Sequence, residues 1–227
     1  MSALLQLLSK HKTAFTHVVD FNPAIDKLFP LDLTASNIDL SAEIIANTSL
    51  FSEYIFGKLK DSGARYAIGG YNEHRTVYSR SALFDSGEEP RRLHLGIDIW
   101  APAGTEVFAP LAGTVHSFQN NNNFGDYGPT IILKHELEGF TFHTLYGHLS
   151  LESLSNLKVG KKINKSQRIA RFGEEHVNGN WAPHLHFQLI INMENYSGDY
   201  PGVCRFSERE SYLNNCPDPQ LILQMLY

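Results

Sequence analysis

The sequence lacks several features that mark large classes of protein. Only two of its 227 residues are cysteines, Cys204 and Cys216, which leaves no set of thiols for a cysteine-based zinc cluster. No stretch approaches the 18 or more consecutive apolar residues of a transmembrane helix. The net charge of −5 provides no basic stripe that would neutralise phosphates. Nucleic acid is therefore excluded as the main partner, and no membrane span is expected.

Residues 1–17 also lack the marks of a secretory leader. They have no cationic start, no sustained apolar run and no small-residue cleavage site, and they follow an amphipathic helical pattern instead. We therefore expect a cytoplasmic protein, provided that the sequence is the full chain. In that compartment two reduced thiols are favoured over a disulfide between Cys204 and Cys216.

Apolar residues make up 42% of the chain, which is enough to bury a full core. Residues 1–68 are predicted to form an N-terminal helical extension, because apolar residues recur at helical spacing in 3–13 and 41–60. Ser41 is predicted to begin the second of these helices. Residues 69–227 are predicted to form a second domain, with its core at about 91–191.

From about residue 92 to residue 192 the helical pattern gives way to short β-branched and aromatic runs, separated by turns rich in Gly and Asn. The runs are Leu93–Trp100, Glu106–Phe108, Gly113–Phe118, Thr130–His135, Phe140–Tyr146, Arg168–Gly173 and His184–Ile191. Many short strands without intervening helices predict a mainly β, antiparallel, sheet-rich core. With the N-terminal helices added, the chain is α+β overall.

Residues 184–187 read His-Leu-His-Phe, an alternation with clear consequences on a strand. Successive side chains point to opposite faces, so His184 and His186 share one face while Leu185 and Phe187 enter the core. Two imidazoles on one rigid face can begin a metal site. A lone His-x-His is more often a pair of surface histidines, so the inference depends on partners elsewhere in the chain.

Candidate partners stand in two other segments. His94 and Asp98 share a face of a predicted strand but are roughly 13 Å apart on an ideal strand, so the chain must bend, and Gly96 permits a bend. His148 lies at the end of another predicted strand. With the pair at 184–186, these residues offer nitrogen and oxygen ligands without sulfur. That set suits Zn²⁺ with three protein ligands and an open position.

Four motifs now stand in a fixed order along the chain. They are His94-x3-Asp98, the segment from Pro102-Ala103-Gly104-Thr105 to Val115, Tyr146-Gly147-His148-Leu149-Ser150, and Pro183-His184-Leu185-His186-Phe187. In this order and spacing they resemble the lysostaphin/LytM-type zinc metallopeptidases of family M23. The resemblance covers about residues 91–191.

The resemblance implies a role for each site residue. His94, Asp98 and His186 are expected to bind Zn²⁺, and His148 and His184 match the two catalytic histidines. The implied activity is that of a zinc metalloendopeptidase, which hydrolyses a peptide bond with a metal-activated water. The implied substrate is a peptidoglycan cross-link or a glycine-rich peptide, or a peptidoglycan-derived fragment.

Two other functions stay open from the sequence. A cytosolic zinc hydrolase of a soluble peptide or amide is favoured by the lack of a visible leader. A non-catalytic M23-type regulatory or binding module is disfavoured, because all five site positions are intact. Nothing in the sequence indicates the oligomeric state or the role of the N-terminal helices.

The polar segment 69–80 has several interpretations. In the first, its arginines and tyrosines line the cleft, where Arg binds a substrate carboxylate and Tyr binds an oxyanion. In the second, the segment is a solvated connecting loop. In the third, Asn72 or Glu73 caps the open metal position and blocks the site. Arg92 is expected to pair with a nearby carboxylate.

Overall fold

The computed structural model describes residues 3–85 and 87–225. Within these ranges the helices are α1 (Ala3–Lys10), α2 (Ala42–Ala46), α3 (Thr48–Ser62), α4 (Arg209–Asn215) and α5 (Gln220–Leu223). The strands are β1 (Leu28–Pro30), β2 (Tyr66–Gly69), β3 (Leu93–His94), β4 (Ile97–Trp100), β5 (Glu106–Phe108), β6 (Gly113–Asn121), β7 (Gly128–Leu137), β8 (Phe140–Gly147), β9 (Lys162–Ile163), β10 (Arg168–Arg171), β11 (His184–Ile190) and β12 (Val203–Cys204). No helix in the described part of the chain is both long and apolar enough to cross a membrane.

Eight strands form one sheet in the order β1-β2-β4-β11-β8-β7-β6-β9. Every neighbouring pair in it is antiparallel except β1 and β2, which are parallel. Two small antiparallel sheets, β5 with β10 and β3 with β12, complete the strand pairings. The predicted fold class, a sheet-rich and largely antiparallel core with N-terminal helices, is confirmed.

The N-terminal region contributes more than helices. Its strands β1 and β2 join the main sheet, and β2 pairs directly with β4. The predicted domain boundary at 68/69 falls inside β2, and the division into two domains stays a prediction. The sequence missed β1 because three residues carry too little periodicity to indicate a strand.

The helix predicted over 41–60 is two helices. Ser41 begins α2, where its side chain accepts a hydrogen bond from the backbone N–H of Ile44, as predicted. Asn47 then begins α3 in the same way, by accepting from the N–H of Leu50. An N-capping residue needs extended backbone, so Asn47 separates α2 from α3.

The alternation predicted for residues 184–187 places β11 between the core and the site. Leu185 and Phe187 are fully buried in the main apolar core, to which α1 and α5 also contribute. His184 and His186 therefore point to the other face of the sheet, in which β4 and β8 pair with β11 on either side. The apolar residues of this strand thus determine the direction of both histidines.

Candidate metal centre

Three side chains from three strands converge at one point. His94 ends β3, Asp98 lies on β4, and His186 lies on β11 directly opposite Asp98. The Nε2 atom of His94 lies 3.0 Å from Nδ1 of His186, and Oδ1 of Asp98 lies 3.3 Å and 3.1 Å from these two nitrogens. All three residues are at most 3% exposed.

The bend predicted at Gly96 makes this convergence possible. β3 ends at His94 and β4 begins at Ile97, so the two strands belong to different sheets. A Cβ atom at Gly96 would lie 2.6 Å from the His186 ring, closer than real Cβ atoms come to other heavy atoms. Glycine is therefore required here by the close approach of the imidazole.

Hydrogen bonds outside the group set the tautomer of both imidazoles. The Nδ1–H of His94 donates to the carbonyl of Gly70 at 2.9 Å, and the Nε2–H of His186 donates to Oε1 of Gln188 at 2.9 Å. Each ring therefore turns an unprotonated nitrogen toward the carboxylate of Asp98. Three acceptor atoms that face one another have no proton to share, and a cation satisfies them.

The spacing of these atoms fits zinc. Ligands at about 2.0–2.1 Å in a tetrahedron lie about 3.3 Å apart, close to the separations found among the three donor atoms. The donor set of two imidazoles and one carboxylate without sulfur also suits Zn²⁺. Together these donor atoms form a group of the kind that holds a metal ion.

A buried arginine binds the outer oxygen of Asp98. Nη1 of Arg75 donates to Oδ2 of Asp98, and Nε of Arg75 donates to Oε2 of Glu73 at 2.6 Å. Burial alone would raise the pKa of Asp98, but His94 and Arg75 together hold that pKa well below its usual range. The carboxylate is therefore ionised, with Oδ1 facing the histidines and Oδ2 held by Arg75.

His148 and His184 form a second pair beside the three donors. Their ring centroids are 4.1 Å apart and their planes differ by 30°. The Nδ1–H of His148 donates to the carbonyl of Asn178 at 2.8 Å, and that of His184 donates to the carbonyl of Ala182 at 2.7 Å. The Nε2 atom of each ring is therefore free to accept a proton.

Both of these histidines are neutral at neutral pH. Burial lowers the pKa of His184 to about 4, and burial together with His184 lowers the pKa of His148 well below its usual value. His148 also adopts a left-handed backbone conformation with φ of 61°, which is uncommon for a residue other than glycine. Such strain is often found at functional sites.

Asp98, His148, His184 and His186 line one cavity of about 240 Å³. The structure thus brings the five sequence-predicted site residues together, since the ring centroid of His94 lies 4.8 Å from that of His186. The assignment of three as metal ligands and two as catalytic groups stays a prediction from the sequence.

The polar segment 69–80 is part of the site rather than a solvated loop. Its Arg75 is engaged by Asp98 and Glu73 and so is not free for a substrate carboxylate. The side chain of Asn72 accepts from Arg209, and neither Asn72 nor Glu73 lines the cavity, so neither caps the metal position. Arg92 pairs with Asp85 at 2.6 Å, as expected of it.

Three neighbours of the site were not predicted from the sequence. Trp100 stacks on His184 at a centroid distance of 5.5 Å, and the hydroxyl of Tyr127 lies 3.4 Å from Nε2 of His186. Asn178 orients His148 through its carbonyl oxygen. A backbone acceptor of this kind leaves no signal in the sequence. Trp100 did leave a signal, because it lies two residues after Asp98 on the same predicted strand and so on the same face.

Comparison with known proteins identifies similar sequences in this region. Residues 92–197 match the family model described as peptidase family M23. A DD-carboxypeptidase/endopeptidase Mpg of Neisseria meningitidis is 33% identical over 131 residues, which are 55% of this chain and 27% of that protein. The peptidoglycan DD-endopeptidase ShyA of Vibrio cholerae is 34% identical over 116 residues, 47% of this chain and 24% of that protein. The chain thus spans about a quarter of the length of these curated relatives.

A solved structure also matches. The catalytic domain of the antimicrobial peptidase lysostaphin from Staphylococcus simulans is 29% identical, with a TM-score of 0.38, over 53% of this chain and 80% of that domain.

Proposed function

Residues 92–197 belong to peptidase family M23, and from that premise we propose that the chain is a zinc-dependent endopeptidase acting on peptides derived from peptidoglycan. The observation that carries the proposal is the convergence of three unprotonated donor atoms beside two neutral histidines in one cavity. The names of two relatives, which describe a peptidoglycan DD-endopeptidase and a DD-carboxypeptidase/endopeptidase, support the substrate class.

His94 would hold the metal through Nε2, His186 through Nδ1 and Asp98 through Oδ1. Zinc bound there supplies a Lewis acid that polarises the scissile carbonyl and makes water acidic enough to react near neutral pH. The contacts from Gly70, Gln188 and Arg75 keep the donor atoms in these orientations.

His148 and His184 provide the proton transfers. One of them accepts the proton of the attacking water at its free Nε2 atom and becomes an imidazolium. That imidazolium then donates the same proton to the departing amine, so the histidine ends the cycle neutral. The low pKa of both rings favours the neutral starting form that a base requires.

Digestion of purified peptidoglycan and of soluble muropeptides, with mass spectrometry of the products, tests the proposal. Wild-type protein loaded with zinc should release peptides cut at one type of bond. His148→Gln should be about 10²–10⁴-fold slower, the usual contribution of a general acid–base group. His176→Gln, a change at an exposed histidine that pairs with Glu174, is the matched control and should keep full activity. Absence of cleavage of both materials by the zinc-loaded wild type would contradict the proposed substrate class.

A further inference from the structure

One wall of the cavity comes from outside the segment that matches the family. Residues 92–197 supply the histidines and Asp98, but Leu33, Phe51, Val77 and Phe84 also line the same cavity. These four residues precede residue 92 and belong to the N-terminal part of the chain. We call Leu33, Phe51 and Val77 the N-terminal wall.

The N-terminal wall is apolar and tightly packed. Each of its three residues is only 1% exposed, and all three belong to the cluster that also contains Trp100 and Trp181. Both tryptophans line the cavity as well. The wall therefore rests on a packed core rather than on a mobile loop, which fixes its shape.

The fold attaches this wall firmly to the catalytic strands. Leu33 follows β1, and its neighbour Leu31 donates its backbone N–H to the carbonyl of Ile68 in β2. β2 pairs with β4, where Ile68 lies opposite Ile99. The segment that carries Leu33 is thus attached through β2 to the strand of Asp98.

The three residues of the wall are apolar and offer no partner to a charge. Arg75 and Asp98, which also line the cavity, bind each other, and the other charged lining residues are Arg91, Asp126 and Asp199. A charged substrate side chain placed against Leu33, Phe51 and Val77 would lose its hydration without gaining a partner from them, which is unfavourable. An uncharged aliphatic side chain would gain apolar contact instead.

The size of the cavity limits the side chain that fits. A buried cavity of about 150 Å³ can hold a benzene molecule, and a drug-sized ligand needs about 300 Å³ or more. The observed cavity of about 240 Å³ falls between these, which suits one small residue of a peptide.

We propose that Leu33, Phe51 and Val77 form a specificity subsite that receives the small uncharged aliphatic side chain of the residue next to the scissile bond. The inference rests on the proposed peptidase function, since it names the substrate residue of that same site. It also assigns the N-terminal region a direct part in substrate selection.

Intrinsic fluorescence tests the subsite without requiring hydrolysis. The chain has two tryptophans, Trp100 and Trp181, and both line the cavity. Titration of the zinc-loaded full chain with N-acetyl amino-acid amides should therefore report occupancy. The alanine and valine amides should change the emission saturably, whereas the lysine and glutamate amides should not.

A variant that fills the subsite gives the decisive comparison. Leu33→Phe should weaken binding of the valine amide by at least about tenfold, the effect of a methylene-scale change in an apolar pocket. Leu40→Phe is the matched control, because Leu40 belongs to the same cluster without lining the cavity. Phe51→Leu, which enlarges the subsite, should shift preference from the alanine amide toward the leucine amide. The near-ultraviolet circular dichroism of each variant reports whether it is folded.

Equal binding of the lysine and alanine amides, or equal affinity of folded Leu33→Phe and wild type, would overturn the subsite. Selective amide binding by a protein that cleaves no muropeptide would keep the subsite and contradict the proposed reaction. Cleavage of muropeptides by a protein that shows no such selectivity for the amides would keep the proposed reaction and contradict the subsite.

Discussion

Arg75 binds one oxygen of Asp98 while the other oxygen of that carboxylate faces His94 and His186. The pair is almost fully buried, with Arg75 at 1% and Asp98 at 3% exposure. Since Oδ2 is held by Nη1 of Arg75, only Oδ1 is free to bind a metal ion. The arginine thus orients Asp98 so that it can bind a metal ion through one oxygen only.

Replacement of this arginine should weaken metal binding. Arg75→Met should raise the dissociation constant for zinc by about 10–100-fold, because loss of an outer hydrogen-bond partner lets the carboxylate rotate. Competition with a chromophoric chelator measures this constant. The absorption spectrum of the cobalt-substituted protein should change as well, since the coordination geometry changes.

Arg92→Met is the control for that experiment. Arg92 also pairs with a carboxylate, but its partner Asp85 is exposed and is not one of the three donor residues. Its zinc affinity and cobalt spectrum should match those of the wild type. Equal affinities for Arg75→Met and Arg92→Met would show that Arg75 does not position Asp98.

A methyl group at Gly96 should disrupt the metal group. The added Cβ of Gly96→Ala would lie 2.6 Å from the His186 ring, so the ring must move. We expect zinc affinity to fall by about tenfold or more, in the range of disturbed metal environments. Gly57→Ala, with no heavy atom within 4 Å of its added Cβ in α3, is the matched control. That variant should bind zinc normally and gain up to about 1 kcal/mol of stability; unchanged zinc binding by Gly96→Ala would contradict the expected clash.

The free energy of unfolding should decrease as the pH decreases, because of a buried histidine outside the site. Burial lowers the pKa of His135 to about 4, and the hydrogen bond that its Nδ1–H donates to the carbonyl of Ala112 offsets this only in part. In the unfolded chain the pKa is about 6.5, so between these two values the unfolded state binds more protons. The stabilising effect is therefore complete above about pH 6.5 and is lost as the pH falls toward 4, by at most about 1.4 kcal/mol per pH unit.

Urea unfolding with a metal chelator present measures this effect. His135→Gln should lower the free energy of unfolding at neutral pH and also flatten its decline in acid. His143, whose pKa is likewise lowered to about 4, chiefly by burial and in small part by His135, titrates in both proteins, so most of the difference between the two reflects His135. Parallel pH profiles for wild type and variant would contradict the assignment.

The strands and the site residues could be predicted from short-range patterns in the sequence. The alternation at 184–187 predicted the faces of β11 because Leu185 and Phe187 must be buried. The distance between His94 and Asp98 on an ideal strand predicted the bend at Gly96. Both arguments use only the geometry of one segment, which the sequence determines.

Contacts between distant segments could not be predicted in this way. Arg75 contacts Asp98, and Phe51 reaches the cavity lined by His148 and His184, only because β2 pairs with β4. That pairing depends on the whole fold and cannot be inferred from one segment. For this reason the sequence alone predicts that residues 1–68 form a separate N-terminal extension. The roles of Arg75 and of the N-terminal wall therefore emerge only in three dimensions.

His184 and His186 allow the central claim to be tested within a single strand. Zinc content of the purified variants should be measured by atomic emission, since the two histidines lie two residues apart on β11 and are predicted to have different roles. Wild type and His184→Ala should each hold about one zinc ion per chain, and His186→Ala should hold almost none. Loss of zinc from His184→Ala together with retention by His186→Ala, or a wild type that binds no zinc, would contradict the account.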